Sequence, residues 1–344
     1  MLNPIAHTEP LALKAIDVWK VFGADCEAYL KAQGNARDAQ ALEKLGYTTG
    51  VREASFEVRT GEIFILMGLS GSGKSTLLRC LTGLYSLSAG EVMIADQSLA
   101  SATSQQLMDI RRRKISMVFQ NFGLLPHLSV LENIAFPLRM NGTPRDKRLA
   151  EAQRVLELVG LKGRELFYPH ELSGGQQQRV GIARSLVTDP SIWFLDEPFS
   201  ALDPLIRKEM QNEFIRLQRS LRKTIVFVTH DFDEAVRLGD RIAIMQNGQI
   251  LQIGTAEDLV LKPANDYVRA FVQDIPRDKV VSLRAILEPL SAQAEHAEPF
   301  ELDQKIGTAA QRLIASDHAI AVKDAQGTLV GQVSRQSYSR WLTK

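Results

Sequence analysis

The sequence predicts an α/β protein with a largely parallel sheet, a helical insertion and a smaller carboxy-terminal unit. Three observations predict it. From about Leu11 to Tyr267, short β-branched and aliphatic runs alternate with helical stretches, the pattern of parallel strands joined by crossover helices. One of those strand-to-helix junctions carries a glycine-rich loop of the kind that wraps a phosphate. Between Gln120 and Pro190 the pattern turns mostly helical before the alternation resumes.

Strands are expected at residues 63–67, 115–119, 192–195, 225–228 and 241–245, each an apolar run bounded by polar or glycine residues. In the insertion, residues 121–190, Leu149, Ala152, Leu156 and Val159 share one helical face, with Thr143-Pro144 as a start and Gly160 as a stop. Residues 24–49 are polar and alanine-rich and lie between a first strand and residues 51–58, which reads as an inserted helical arm. Pro276-Arg277-Asp278-Lys279 looks like a linker, dividing the chain into residues 1–275 and 276–344. Arg111-Arg112-Arg113-Lys114 reads as a solvated helix end.

Composition narrows the function classes. With 344 residues, about two domains are expected, and 45% hydrophobic with 24% charged residues excludes a disordered or fibrous chain. A net charge of +1 gives no global field to attract nucleic acid. The longest aliphatic and aromatic run, Ile63-Phe64-Ile65-Leu66-Met67, falls far short of the ~20 residues of a membrane span, and the amino terminus lacks a basic segment followed by an apolar one. A cytosolic chain is expected, with Cys26 and Cys80 as free thiols and Cys80 filling core space.

The loop Gly68-Leu69-Ser70-Gly71-Ser72-Gly73-Lys74-Ser75 fits G-x-x-x-x-G-K-[ST] between an apolar strand and a helix with Leu77, Leu78 and Leu81 on its buried face. Glycines let successive N–H groups curl toward a β-phosphate, and the helix start adds partial positive charge. Lys74 is expected on the β- and γ-phosphates, the Ser75 hydroxyl on Mg²⁺, and Thr76 on a phosphate oxygen. A bare strand-to-helix turn would not need Lys-Ser at that offset. Alone, however, the loop fits kinases, GTPases and ATPases equally.

Ser191-Ile192-Trp193-Phe194-Leu195-Asp196-Glu197 is an apolar strand ending in two carboxylates, whose side chains alternate in direction. Asp196 is expected to hold Mg²⁺ through water and Glu197 to polarise a water attacking the γ-phosphate. Taken alone, paired acids at a strand end are often a solvated turn. Leu172-Ser173-Gly174-Gly175-Gln176 opens another helix: Ser173 caps it and two glycines bare its N–H groups, a second anion-seeking helix start separate from the first. Two half-sites for one nucleotide suggest a dimer.

Here the residues closely resemble ATP-binding-cassette ATPases, over Leu11 to about Asp274. Leu172–Gln176 resembles that family's signature. The resemblance implies a P-loop nucleotide-binding domain over residues 1–275, and a nucleotide site shared by two copies, with Ser173, Gly174, Gly175 and Gln176 of one facing Lys74 of the other. It implies that Gln120 is the glutamine that reaches Mg²⁺ and attacking water, that Ser200-Ala201-Leu202-Asp203 is the D-loop with Asp203 at the nucleotide, and that His230 contacts the γ-phosphate. Phe22 best matches the aromatic that stacks on adenine, with Trp19 or Tyr29 as substitutes. ATP and Mg²⁺ are the implied ligands.

Within the superfamily, the arm, the run Met67-Gly68-Leu69-Ser70, the run from Ser200 to Arg207 and Asp240-Arg241-Ile242-Ala243-Ile244-Met245-Gln246-Asn247-Gly248 resemble the ATPase subunit of quaternary-amine importers, the glycine betaine, proline betaine and choline group. That resemblance implies a separate membrane permease, a substrate-binding protein, no nucleic acid, and a place on the cytoplasmic face of the plasma membrane. Residues 319–324 and 327–334 resemble the strand pair of one CBS motif, which implies a small α+β regulatory unit over residues 276–344. A soluble ABC-type ATPase acting on nucleic acid or ribosomes is the rival from another class, and an ATPase serving a transporter of another substrate is the third reading.

Overall fold

The computed structural model describes residues 9–26, 29–30, 37–120 and 122–343. Ten strands lie in its first unit: β1 (Leu11–Phe22), β2 (Thr48–Arg59), β3 (Ile63–Met67), β4 (Ala89–Ile94), β5 (Gln97–Ser98), β6 (Ile115–Val118), β7 (Ile192–Asp196), β8 (Thr224–Thr229), β9 (Arg241–Gln246) and β10 (Gln249–Gly254). They form two sheets, a six-stranded one in the order β10-β9-β3-β8-β7-β6 and a four-stranded one in the order β2-β1-β4-β5. The first is parallel at β9-β3-β8-β7-β6, as the alternating pattern predicts. The second is antiparallel; the sequence marks a first strand and residues 51–58 but not their pairing into a separate sheet, because β1 and β2 are long, bulged strands whose polar residues break the apolar runs.

Parallel register puts the strand ends together. Met67 pairs with Thr229, Asp196 with Val228 and Val118 with Leu195, so the residues that follow these strands emerge along one carboxyl edge. That edge is where open α/β sheets bind ligands.

The helix Lys74–Leu81 buries Leu77, Leu78, Cys80 and Leu81 in one core with Leu13, Val18, Phe56 and Val58 of the antiparallel sheet and Phe64, Leu66, Phe194 and Val228 of the parallel one. Phe56 and Phe64 stack at 4.8 Å between the sheets. Burial pushes the Cys80 thiol up to about 12, so it is inert core filler, and both cysteines are free. Trp193, Phe199, Phe214 and Phe227 form a second aromatic layer with the helix Pro204–Leu221.

Between β6 and β7 stand the helices Val130–Met140, Arg145–Leu158 and Gly174–Leu186. The fully buried Asn133 donates to Leu125 O, Leu128 O and Ser129 O and accepts from Leu125 N, so it satisfies the backbone of the loop that leads in. Arg184 donates to Phe122 O at 2.6 Å and Gly123 O at 2.7 Å, pinning the segment after Gln120 onto the helix Gly174–Leu186. The stretch Arg111–Lys114 closes the helix Ser104–Arg113, with its three arginines exposed.

Of the arm, residues 27–28 and 31–36 lie outside the described residues. The rest includes the helix Ala39–Lys44, capped by Asp38, and Cys26, Leu30, Ala39 and Leu42, which form a small core with Trp19 and Val21 of β1.

The chain divides into compact units at Ile253/Gly254 rather than at 275/276. Pro276-Arg277-Asp278-Lys279 is no linker but the start of a short helix, Arg277–Val280. Glu257, on the helix Ala256–Leu261, accepts from Ser282 N at 3.2 Å and Ser282 Oγ at 3.0 Å, which binds that earlier helix into the second unit. Its sheet has the order β11-β12-β13, with β11 (Glu295–Glu301), β12 (Ile320–Lys323) and β13 (Leu329–Val333). The last two match the strand pair that the resemblance implies, and they run antiparallel. The first is missed because Glu295-His296-Ala297-Glu298-Pro299 reads as a polar loop. Among the described residues no helix is long and apolar enough to cross a membrane.

Candidate functional site: a phosphate-binding loop and its carboxylates

The loop after β3 is built by close packing. Gly68 has φ +156 and Gly73 φ +99, and a Cβ on either would collide with backbone, Met245 O for Gly68 and Gly50 O for Gly73. Gly73 is held from outside: Gly248 N donates to Ser72 O at 2.9 Å, and Gly248 O accepts from Arg52 N at 2.9 Å. Neither Gly50 nor Gly248 belongs to the motif. The Asn247-Gly248 dipeptide signals a tight turn, with φ 48 and 78, but nothing in sequence says that it clamps a loop.

Lys74 is 5% exposed, and its ammonium donates to Gly68 O at 2.8 Å and Leu69 O at 3.0 Å. Burial pushes its pKa below the ordinary lysine value, while the Glu197 and Asp196 carboxylates oppose the shift. Ser72 Oγ is buried without a hydrogen-bond partner. A buried cation with a buried orphan hydroxyl, in a cradle that tolerates no Cβ, fits an anionic ligand. Ser70 is exposed on the rim, and Gly71 has φ +81 with open space around it.

Ser75 Oγ donates to Asp196 Oδ1 at 2.9 Å. Asp196 is 6% exposed, and burial raises its pKa, opposed by that hydrogen bond and by Arg79. One hydroxyl and one carboxylate converging from two elements match the hard-oxygen set that Mg²⁺ takes together with substrate phosphates. No cluster of three or more His, Cys, Asp or Glu side chains suited to a metal exists among the described residues.

Glu197 follows at φ 45, a left-handed conformation costly for a residue with a side chain, and its N–H is tied to Val228 O at 3.0 Å. Its Oε2 lies 3.1 Å from His230 Nδ1. Gln120 lies exposed beyond β6, which pairs with β7, and so stands on the same carboxyl edge.

Ser173 caps the helix Gly174–Leu186 in a capping box: its Oγ accepts from Gln176 N at 3.3 Å, and Gln176 Oε1 accepts from Ser173 N at 3.0 Å. Both side chains are thereby occupied with the helix start. Gly174 and Gly175 face Leu202 and Ile206, whereas the first loop packs on Gly50, Met245 and Gly248. The two helix starts thus belong to different parts of the unit. Asp203 caps the helix Pro204–Leu221, accepting from Ile206 N at 3.1 Å.

Of the three aromatic candidates, Trp19 is 2% exposed and its Nε1 donates to Asp17 Oδ1, so it offers no free face. Tyr29 packs on Tyr47 in the arm. Phe22 is 37% exposed, edge-on to Tyr85 at 5.7 Å, and close enough to Gly50 and Thr76 that a Cβ on Gly50 would lie 2.8 Å from its ring and 3.0 Å from Thr76 Cγ2. Lys20 Nζ sits 5.2 Å from the centre of the Phe22 ring, a cation–π contact that the sequence did not announce.

A family model described as ABC transporter matches residues 51–200. The ATP-binding protein of a trimethylamine N-oxide transport system from Pelagibacter ubique is 49% identical over 93% of this chain and 94% of its own. The chain belongs to the ATP-binding subunits of ABC transporters. Another relative, the glycine betaine/proline betaine transport ATP-binding protein of Escherichia coli, is 46% identical to this ABC subunit over 80% of the chain and 69% of its own. The solved dimeric cassette MJ0796, in a post-hydrolysis state bound to ADP and Pi, is 31% identical with a TM-score of 0.59, covering 71% of the ABC subunit and 98% of that chain. Both confirm the cassette fold and an ATPase coupled to transport, of a family whose cassettes dimerise and work with membrane permeases.

Proposed function

We propose that this chain hydrolyses ATP to drive uptake of a small methylated amine through a separate permease supplied by a substrate-binding protein, acting at the cytoplasmic face of the plasma membrane. Trimethylamine N-oxide leads, with glycine betaine, proline betaine and choline as the related alternatives. The observation that carries the reading is the near end-to-end match to the trimethylamine N-oxide relative, against 80% of this chain and 69% of the other for the betaine relative.

In this reading ATP is the substrate. Lys74 and the N–H groups from Gly71 to Thr76 bind its β- and γ-phosphates, and Phe22 stacks on adenine. Ser75, Asp196 and Gln120 hold Mg²⁺. Bound there, the ion neutralises charge on the phosphate oxygens. Glu197 takes a proton from water as the water attacks the γ-phosphorus and ADP leaves, and His230 aligns Glu197 and contacts the γ-phosphate. Ser173, Gly174, Gly175 and Asp203 complete the site on a second copy of the chain.

The deciding experiment reconstitutes the chain with its permease in proteoliposomes and measures ATP-dependent uptake of labelled trimethylamine N-oxide, glycine betaine and choline. Preferential uptake of the N-oxide supports the assignment, and uptake of none of the three removes it. Mixing Lys74→Ala with Ser173→Arg subunits tests the shared site. Both homodimers should be inactive, and normal turnover by either mutant alone would exclude the composite arrangement.

A further inference from the structure

Two loops flank Glu197, and one side chain joins them. On one side, Ser200 N and Ser200 Oγ both donate to Glu197 O, at 3.2 and 2.9 Å, and Leu202 N donates to Phe199 O, which winds the chain into a tight turn ending at Leu202-Asp203. On the other side, His230 reaches Glu197 Oε2. The next residue, Asp231, caps the helix Phe232–Leu238 through Asp233 N and Glu234 N, and its own N–H donates to Thr229 Oγ1. Arg207, on the first turn of the helix Pro204–Leu221, spans the gap: Nη2 donates to Leu202 O at 3.2 Å, and Nη1 lies 3.7 Å from Asp231 Oδ2. Its Nε is buried with no hydrogen-bond partner. Arg207 thus closes a ring of contacts that starts and ends at Glu197. Ile206 beside it packs against Gly175, so the ring also touches the start of the helix Gly174–Leu186.

We propose that Arg207 is a positioning residue that holds the Ser200–Asp203 turn and the His230 loop as one piece, fixing the Glu197–His230 pair. A guanidinium suits the task because its planar fork serves a carbonyl and a carboxylate at once, which a lysine point charge cannot. The ring leaves untouched Lys74, Ser75 and Phe22, the residues that hold the nucleotide within one copy, so the effect falls on turnover rather than on that copy's affinity for ATP. This inference rests on the assignment of Glu197 and His230 to hydrolysis.

The test is a double-mutant cycle on the full chain. Arg207→Leu and Asp231→Asn should each lower kcat about tenfold and leave the KM for ATP within about twofold, and the double variant should be no slower than the slower single. Asparagine still caps the helix, so Asp231→Asn removes the charge but not the cap. Arg207→Lys, able to serve one partner at a time, should fall between wild type and Arg207→Leu, and it replaces Arg207→Leu in the cycle should that variant fail to fold. Losses that multiply in the double variant, or a raised KM at unchanged kcat, overturn the proposal. Glu197→Gln separates the two levels. If it hydrolyses ATP normally, the site assignment fails and this inference with it, whereas if it is inactive and the cycle is multiplicative, only the role of Arg207 fails.

Discussion

Three glycines make a graded test of how tightly the phosphate loop is held. Gly142, Gly248 and Gly73 have φ of +77, +78 and +99, so replacing each with alanine incurs a similar backbone penalty, roughly 1–2 kcal/mol. They differ in what the new methyl group meets. At Gly142 there is nothing within 4 Å. At Gly248 the Cβ would lie 3.1 Å from Gly50 O and 3.2 Å from Val51 Cα, so the clamp must shift by a few tenths of an ångström. At Gly73 it would overlap Gly50 O and force the loop carrying Lys74 to move by about an ångström. Since ~1 Å of misplacement costs about 100-fold, and a third of that about fivefold on a logarithmic scale, kcat/KM for ATP should be unchanged in Gly142→Ala, about fivefold lower in Gly248→Ala and about 100-fold lower in Gly73→Ala. Steady-state hydrolysis, with thermal unfolding in parallel, reads both effects. The backbone penalty alone should lower Tm by roughly 2–8 °C in Gly142→Ala, with no change in kinetics. If Gly142→Ala impairs ATP turnover as much as Gly73→Ala, or Gly248→Ala matches Gly142→Ala in kcat/KM, contact at the Gly50 carbonyl is not what positions the loop.

Glu197→Gln should lose about 10²–10⁴-fold in turnover yet bind ATP, because an amide cannot take the proton from water; equal losses in binding and turnover, by fluorescent-nucleotide titration, would argue against a base. Phe22→Ala should weaken ATP by about 1–3 kcal/mol with kcat preserved, and unchanged affinity would remove Phe22 from the base platform. Asp240, half-buried and accepting from Ile63 N at 2.8 Å, has its pKa pushed up to about 6 by desolvation and, less, by the neighbouring Glu62. A raised carboxyl pKa stabilises the fold below the unfolded value and loses that contribution as pH rises through about 6. Asp240→Asn keeps the hydrogen bond through its amide oxygen, so in urea it should be more stable than wild type at pH 8, by of order 1–3 kcal/mol, and not at pH 4; a constant difference across that range would show that Asp240 does not titrate there.

The sequence announces chemistry where a local string must satisfy a local geometry. Gly68 to Ser75 is legible because one loop must curl, turn into a helix and present a lysine, and Asp196-Glu197 because an apolar strand ends on two acids. The parallel sheet is legible for the same reason, since strands buried on both faces read as unbroken apolar runs. What stays hidden is held by residues distant in the chain whose types are individually unremarkable. Gly50 sits in a long bulged strand, and only its approach to Phe22, Thr76 and Gly73 reveals why a side chain is excluded there. Arg207 reads as one more polar residue on an amphipathic helix until Leu202 and Asp231 are seen on its two nitrogens. The boundary of the second unit is hidden likewise: Pro276 suggests a break, but Glu257 and Ser282 close a contact across it that no composition shift records. The adenine platform is the intermediate case. Three aromatics near the amino terminus compete in sequence, and burial removes Trp19 by enclosing it in the core of an arm whose own composition promises only weak helix. In the proposed reading, motif residues define which atoms meet the nucleotide, while the residues that set their spacing, at the scale of tenths of an ångström on which the rate depends, are chosen by the tertiary fold.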